Sequence, residues 1–267
     1  MHHDHDTEIE DHDRGLSFDL PHLMSRRRAL GVLAGSVTAA ALAACGSSSG
    51  DAAKTATTGG ETASEIPEET SGPFPGDGSN GPNVLTESGV VRSDITTSFG
   101  DASGVAEGVP AAIEMTLLDV AAGGTPLAGA AVYLWHCDIE GRYSMYDVAG
   151  ENYLRGVQET DDDGKVTFTS IFPAAYAGRW PHIHFEVYES LDAATSAGAK
   201  LKTSQIALPQ DACELVYGTE GYEQSAEMLA QTSLDTDNVF SDGYASQLAT
   251  TSGTVDDRIT IALNVGV

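Results

Sequence analysis

Basic residues are scarce in this chain: 13 Lys+Arg stand against 40 Asp+Glu in 267 residues, a formal net charge of -27. That shortage excludes a surface that holds nucleic acid or an anionic membrane by positive charge. Cysteine is also rare, with only Cys45, Cys137 and Cys213. Long apolar runs are missing too. The weakly apolar stretch 31–44 is rich in Ala, Gly, Ser and Thr, and it is too short for a bilayer-spanning helix, which needs about 20 residues. What is present is 41% hydrophobic residues with only 20% charged. That composition suffices for one sizeable core within roughly 200 residues and is too apolar for a disordered acidic tail.

Met24-Ser25-Arg26-Arg27-Arg28 stands just before the weakly apolar stretch and looks like a twin-arginine export signal. The stretch closes on Leu42-Ala43-Ala44-Cys45-Gly46, which resembles a lipobox, with Cys45 acylated as the first mature residue. The chain then divides into a signal (1–44, with Met24 as a second candidate start), a Ser/Gly/Ala/Thr tether (45–65) and a folded domain (66–267). A flexible tether of that length reaches on the order of 25 Å. The expected location is the outer face of the cell membrane or the medium, with the N-terminal lipid as the membrane contact. Without residues 1–44 the chain keeps 33 acids and 9 bases, net -24. Of eight histidines, only His136, His182 and His184 remain.

Residues 70–100 are rich in Gly, Pro, Asn and Asp and read as ordered loops. Beyond Pro110, short alternating segments around 113–117, 130–137, 165–171, 182–188, 203–208 and 259–263 are separated by turn signals such as Gly123-Gly124 and Asp163-Gly164. One helix is expected at Tyr222–Gln231. The pattern predicts an all-β domain, an antiparallel β-sandwich with long loops and one short helix in its C-terminal region.

In a strand, alternate residues share a face, so the imidazoles of His182-Ile183-His184 can reach one ion. Alone, such a pair also fits a polar sheet face. Its neighbourhood is more specific: Trp135-His136-Cys137, Gly141-Arg142-Tyr143-Ser144, Leu154-Arg155-Gly156, Asp163-Gly164, Pro173-Ala174-Ala175-Tyr176 and Arg179-Trp180-Pro181-His182. In this order the landmarks resemble the intradiol ring-cleavage dioxygenases, the family of protocatechuate 3,4-dioxygenase and catechol 1,2-dioxygenase, in their secreted single-chain form, from about Thr70 to Leu208.

That resemblance implies a mononuclear non-haem Fe(III) held by Tyr143, Tyr176, His182 and His184. Phenolate oxygens are hard donors that suit ferric iron better than zinc. It further implies Arg179 as a stabiliser of anionic charge and Gln205 beside the substrate. By the same resemblance, Tyr176 would be the ligand that leaves the metal and takes a proton. The substrates would be a catecholic compound and O2, both oxygen atoms entering a muconate-type diacid. His136 reads as structural, and Tyr146, Tyr153 and Tyr188 as packing residues. Arg142, Arg155 and Arg179 are expected to form a positive pocket for an anionic aromatic. Cys137 and Cys213, in an exported protein, suggest a disulfide. An exported iron-binding module without ring cleavage is the main alternative, and a zinc hydrolase on a sandwich is a third. Oligomeric state and the identity of the catechol stay open.

Overall fold

The structure, a computed structural model, describes residues 64–196 and 198–267. The export signal, Cys45 and most of the tether lie outside the described residues. Glu65, expected in the tether, already belongs to the fold. It bridges to Gly266, and Ile66 beside it is buried.

Among the described residues, nine strands form two sheets. In the first, β1 (Pro110–Asp119) lies between β5 (Lys165–Ile171) and β9 (Arg258–Gly266). The two-residue β2 (Thr125–Pro126) pairs with the end of β1, and β8 (Thr250–Thr254) lies beyond β9. The second sheet has the order β4 (Arg155–Glu159), β3 (Ala131–Trp135), β6 (His182–Tyr188), β7 (Lys200–Ala207), and every pair in it is antiparallel. The expected all-antiparallel pairing fails at one place. β1 and β9 run parallel, with Ile113 opposite Ile261. Parallel neighbours need a long connection, and here most of the domain lies between them.

Helix is more abundant than the single segment expected at 222–231. α1 (Leu191–Thr195), α2 (Gln210–Tyr217) and α3 (Glu223–Leu229) are joined by a 3-10 turn at Phe240–Asp242. In α2 the buried residues Ala212, Cys213, Val216 and Tyr217 recur at helical spacing, a signal easily lost in so short a segment. No helix of the described residues is long and apolar enough to cross a membrane.

Strand alternation decides where the chemistry sits. Val132 and Leu134 of β3, with Ile183, Phe185 and Val187 of β6, face a core that also takes Ile113, Met115, Phe168 and Ile261 from the first sheet. Each such fully buried side chain contributes about 1.5–3 kcal/mol. The alternate residues, among them Tyr133, Trp135 and Tyr188, face the other way. There they meet Val84, Leu85, Val90 and Tyr143 from loops. The second sheet is therefore buried on both faces, and His182 and His184 lie on the loop-covered one.

The expected Cys137–Cys213 disulfide is not formed. Both residues are buried free thiols. Cys137 belongs to the loop-side cluster and donates to the Ala174 carbonyl at 3.5 Å, whereas Cys213 packs from α2 into the inter-sheet core. Burial pushes both thiols up, so neither is a reactive thiolate. A reductant is accordingly expected to leave the Tm unchanged. A disulfide across this loop would contribute about 2–5 kcal/mol, and a drop of several degrees on reduction would restore the pairing.

Candidate metal centre

Trp180-Pro181 leads the chain into β6, and His182 is the strand's first residue. Its Nδ1 lies 2.5 Å from the Trp180 carbonyl, which can only accept, so Nδ1 carries the proton and Nε2 presents a lone pair. Burial, reinforced by Arg179, drives the His182 pKa down to about 3. His184 is held well below the ordinary histidine range by burial and by His182. Both imidazoles are neutral at physiological pH. Across the sheet, His184 faces Trp135 on β3 and Gln205 on β7.

The two tyrosines come from separate loops. In the first, Asp138 accepts from the amides of Glu140 and Arg142, from the Arg142 guanidinium and from the Tyr153 hydroxyl, shaping the turn that delivers Tyr143. The Tyr143 amide is tied to Asp147 at 2.9 Å. Met145, two residues on, holds the left-handed φ of 69°, a conformation a side chain adopts only where its surroundings enforce it. Gly141 (φ 78°) admits the second loop, since a Cβ there would lie 3.2 Å from Cβ of Tyr176.

These elements bring four donor atoms together in a chain. Tyr143 Oη lies 3.2 Å from Tyr176 Oη, Tyr176 Oη 3.0 Å from His182 Nε2, and His182 Nε2 3.1 Å from His184 Nε2. Such spacing suits donors that share one ion at about 2 Å each. Among the described residues no group of three His, Cys, Asp or Glu side chains converges, so an ion here would draw on the phenols. Burial keeps both tyrosines above the ordinary phenol range, reinforced at Tyr143 by Tyr176 and at Tyr176 by Cys137. They are neutral until a cation displaces their protons. Two phenols and two imidazoles fit ferric iron.

Arg179 closes one side of the centre. Its Nε donates to Asp237 at 2.9 Å and its Nη2 to Gln205 Oε1 at 2.6 Å, while Nη1 lies 3.4 Å from His182 Nε2. Gln205 is fully buried and donates through Nε2 to the Thr70 carbonyl at 2.8 Å. Asp237 is a residue the sequence reading missed. It also accepts from the amides of Trp180, Val239 and Phe240, and although burial opposes its ionisation, Arg179 holds its pKa down. Its one legible signal was an Asp placed to cap the turn before Phe240.

The expected three-arginine pocket is not assembled. Arg142 is 46% exposed and paired with Asp138 and Glu140. Arg155 is buried and donates to Ser144, Tyr133 and the carbonyls of Phe74 and Pro75. Only Arg179 of the three contacts a donor of the centre. His136 lies between the Cys137 carbonyl (2.8 Å) and Ser170 (2.7 Å), and burial takes it down to about 4. Tyr146, Tyr153 and Tyr188 hydrogen-bond elsewhere, to Gly76, Asp138 and Glu186.

Three buried neutral histidines have a consequence in acid. Their folded pKa values lie below the unfolded value near 6.5, so their contribution to stability is complete above about pH 6.5 and is lost as pH falls toward 4 and then 3. Each is expected to cost on the order of 1.4 kcal/mol per pH unit within that window. Urea unfolding of the metal-free protein at pH 7, 6 and 5 tests this, and equal stability at all three contradicts it.

Residues 80–200, which include all four donors, match the family model described as Dioxygenase. No curated protein matches the sequence. Among solved structures the chain is similar to an intradiol ring-cleavage dioxygenase from Tetranychus urticae, with 24% identity, 76% of this chain and 94% of that chain covered, and a TM-score of 0.59. The dioxygenase domain of a dioxygenase and carbohydrate-binding protein fusion from Streptomyces sp. SirexAA-E is more distant, with 20% identity, coverage of 76% and 99%, and a TM-score of 0.48. Hydroxyquinol 1,2-dioxygenase from Pseudomonas putida DLL-E4 shows 17% identity, coverage of 77% and 67%, and the same score. The segment that carries the four donors thus matches a dioxygenase family model, and the fold is similar to that of an intradiol ring-cleavage dioxygenase.

Proposed function

We propose that this protein is a non-haem ferric dioxygenase that opens a catecholic ring between its two oxygen-bearing carbons and releases a muconate-type diacid, on two sheets packed as a β-sandwich. The observation that carries this reading is the chain of four donor atoms at 3.0–3.2 Å with Arg179 beside it. Tyr143, Tyr176, His182 and His184 would hold the iron. When bound, Fe(III) supplies a Lewis acid that neutralises a catecholate and draws on its electron density to make the ring reactive toward O2.

The chain's own residues do the rest. Tyr143 is almost fully buried, whereas Tyr176 is only partly so. Tyr176 is therefore the residue that, once a bound cation has made it a phenolate, would swing out and take a proton from a catechol hydroxyl to become a phenol again. Arg179, with two nitrogens committed to Asp237 and Gln205, points the third at the centre. A fixed cation in a dry site stabilises the negative charge that builds on oxygen as the ring opens. Gln205 holds that guanidinium and the Thr70 loop together.

Iron-loaded protein is expected to be burgundy from tyrosinate-to-iron charge transfer, to change colour with catechol, and to convert catechol under oxygen to a ring-opened diacid. Tyr143→Phe and His184→Ala should lose the colour. Arg179→Ala should keep it while turnover falls about 100- to 1,000-fold. Colourless protein that binds only zinc overturns the reading, and coloured protein inert toward every catechol tried favours an iron-binding module.

The same reading places the enzyme outside the cell on a lipid attached to Cys45, supported by the paired arginines and the lipobox-like sequence. Labelled fatty acid should enter the wild-type protein and not the Cys45→Ser variant, and equal labelling rules the anchor out.

A further inference from the structure

The two imidazoles of the centre are held in different ways. His182 donates through Nδ1 to the Trp180 carbonyl. His184 Nδ1 is buried and has no hydrogen-bond partner. Histidines that bind metals are usually oriented by such an outer hydrogen bond, so His184 needs another support.

That support is the indole of Trp135. It lies directly across from His184 in the β3–β6 register, and the two rings stack with centroids 4.9 Å apart and planes within 4°. Behind the indole, Tyr133 stacks in turn at 4.9 Å and 21°. The Tyr133 hydroxyl donates to the Pro75 carbonyl at 2.6 Å and accepts from Arg155 at 3.1 Å, which anchors the outer end of the stack. At the imidazole edge stands Gly72, where a Cβ would come within 3.2 Å of His184 Cε1. Trp135 Nε1 is itself buried without a partner. An unpaired buried N–H is a cost that a phenylalanine would not carry, so the flat face of the indole, and not its donor, is what the site uses.

We propose that Trp135 is a positioning residue that fixes the ring plane of His184 by stacking, in place of the missing hydrogen bond, and so keeps iron in the centre. The iron half of this inference rests on the function proposed above. The positioning half does not, because the stack is a contact between two side chains of this chain.

Two measurements separate the halves. In metal-free protein with ring-labelled histidine, NMR should show one sharp His184 environment for wild type and for Trp135→Phe, and a broadened or multiple one for Trp135→Leu. In iron-loaded protein, loss of the charge-transfer colour to excess chelator should be 10- to 100-fold faster in Trp135→Leu and near the wild-type rate in Trp135→Phe. Circular dichroism confirms that each variant is folded. Should Trp135→Leu not fold, Tyr133→Leu, which strips the ring behind the indole, carries the same expectations. A sharp His184 signal together with wild-type iron release in the leucine variants overturns the proposal. Wild-type protein that takes up no iron defeats the functional reading and leaves the NMR result to decide the positioning role.

Discussion

His182 and His184 bring their Nε2 atoms to 3.1 Å, and both rings are buried. Protonating either ring would place a charge beside the other imidazole and beside Arg179, with no solvent to spread it. Both rings therefore stay neutral, and the His182 lone pair faces the Tyr176 oxygen. The two tyrosine oxygens, buried and facing each other, keep their protons until a cation removes them. The four donors thus form a neutral, largely buried cluster.

Three of the bases of this acidic chain fasten the loop beside the centre to the second sheet. Arg155 holds the carbonyls of Phe74 and Pro75, and Phe74 in turn lies with its ring 5.1 Å from that of Tyr143. Lys200 joins Asp77 of the same loop to the buried Glu186, whose pKa burial raises and Lys200 opposes. Lys202 pairs with Glu65 at the start of the domain. These contacts seat residues 65–77 against the second sheet and bring Gly72 beside His184. Charge here works as attachment of a loop to a sheet, and less as a field that draws in an anion.

Much of the site was legible because its residues belong to short, local patterns. His-Ile-His shares a face through strand alternation, and the Tyr143, Tyr176 and Arg179 motifs lie within about 45 residues of chain. The pairing of Asp237 with Arg179 was not legible. Asp237 lies 58 residues from Arg179, and nothing near it in sequence indicates a guanidinium partner. The cysteine pairing failed for a similar reason. Spacing and export context say nothing of which face of which element a thiol occupies, and these two fall into different apolar clusters. The parallel β1–β9 pair was equally hidden, because alternation within a strand carries no record of its neighbour's direction.

By itself the sequence determined the residue types available to the candidate centre, the strand periodicity that puts both histidines on one face, and the order of motifs that resembles the intradiol ring-cleavage dioxygenases. These are local properties, set by covalent spacing and donor chemistry. Only the tertiary structure decided which arginine reaches the donors, that Asp237 and Gln205 hold it, that Trp135 stacks on His184, and that the thiols stay apart. Each depends on how side chains distant in sequence come together when two buried faces close around one sheet. That outcome is governed by packing and desolvation, which no local pattern encodes.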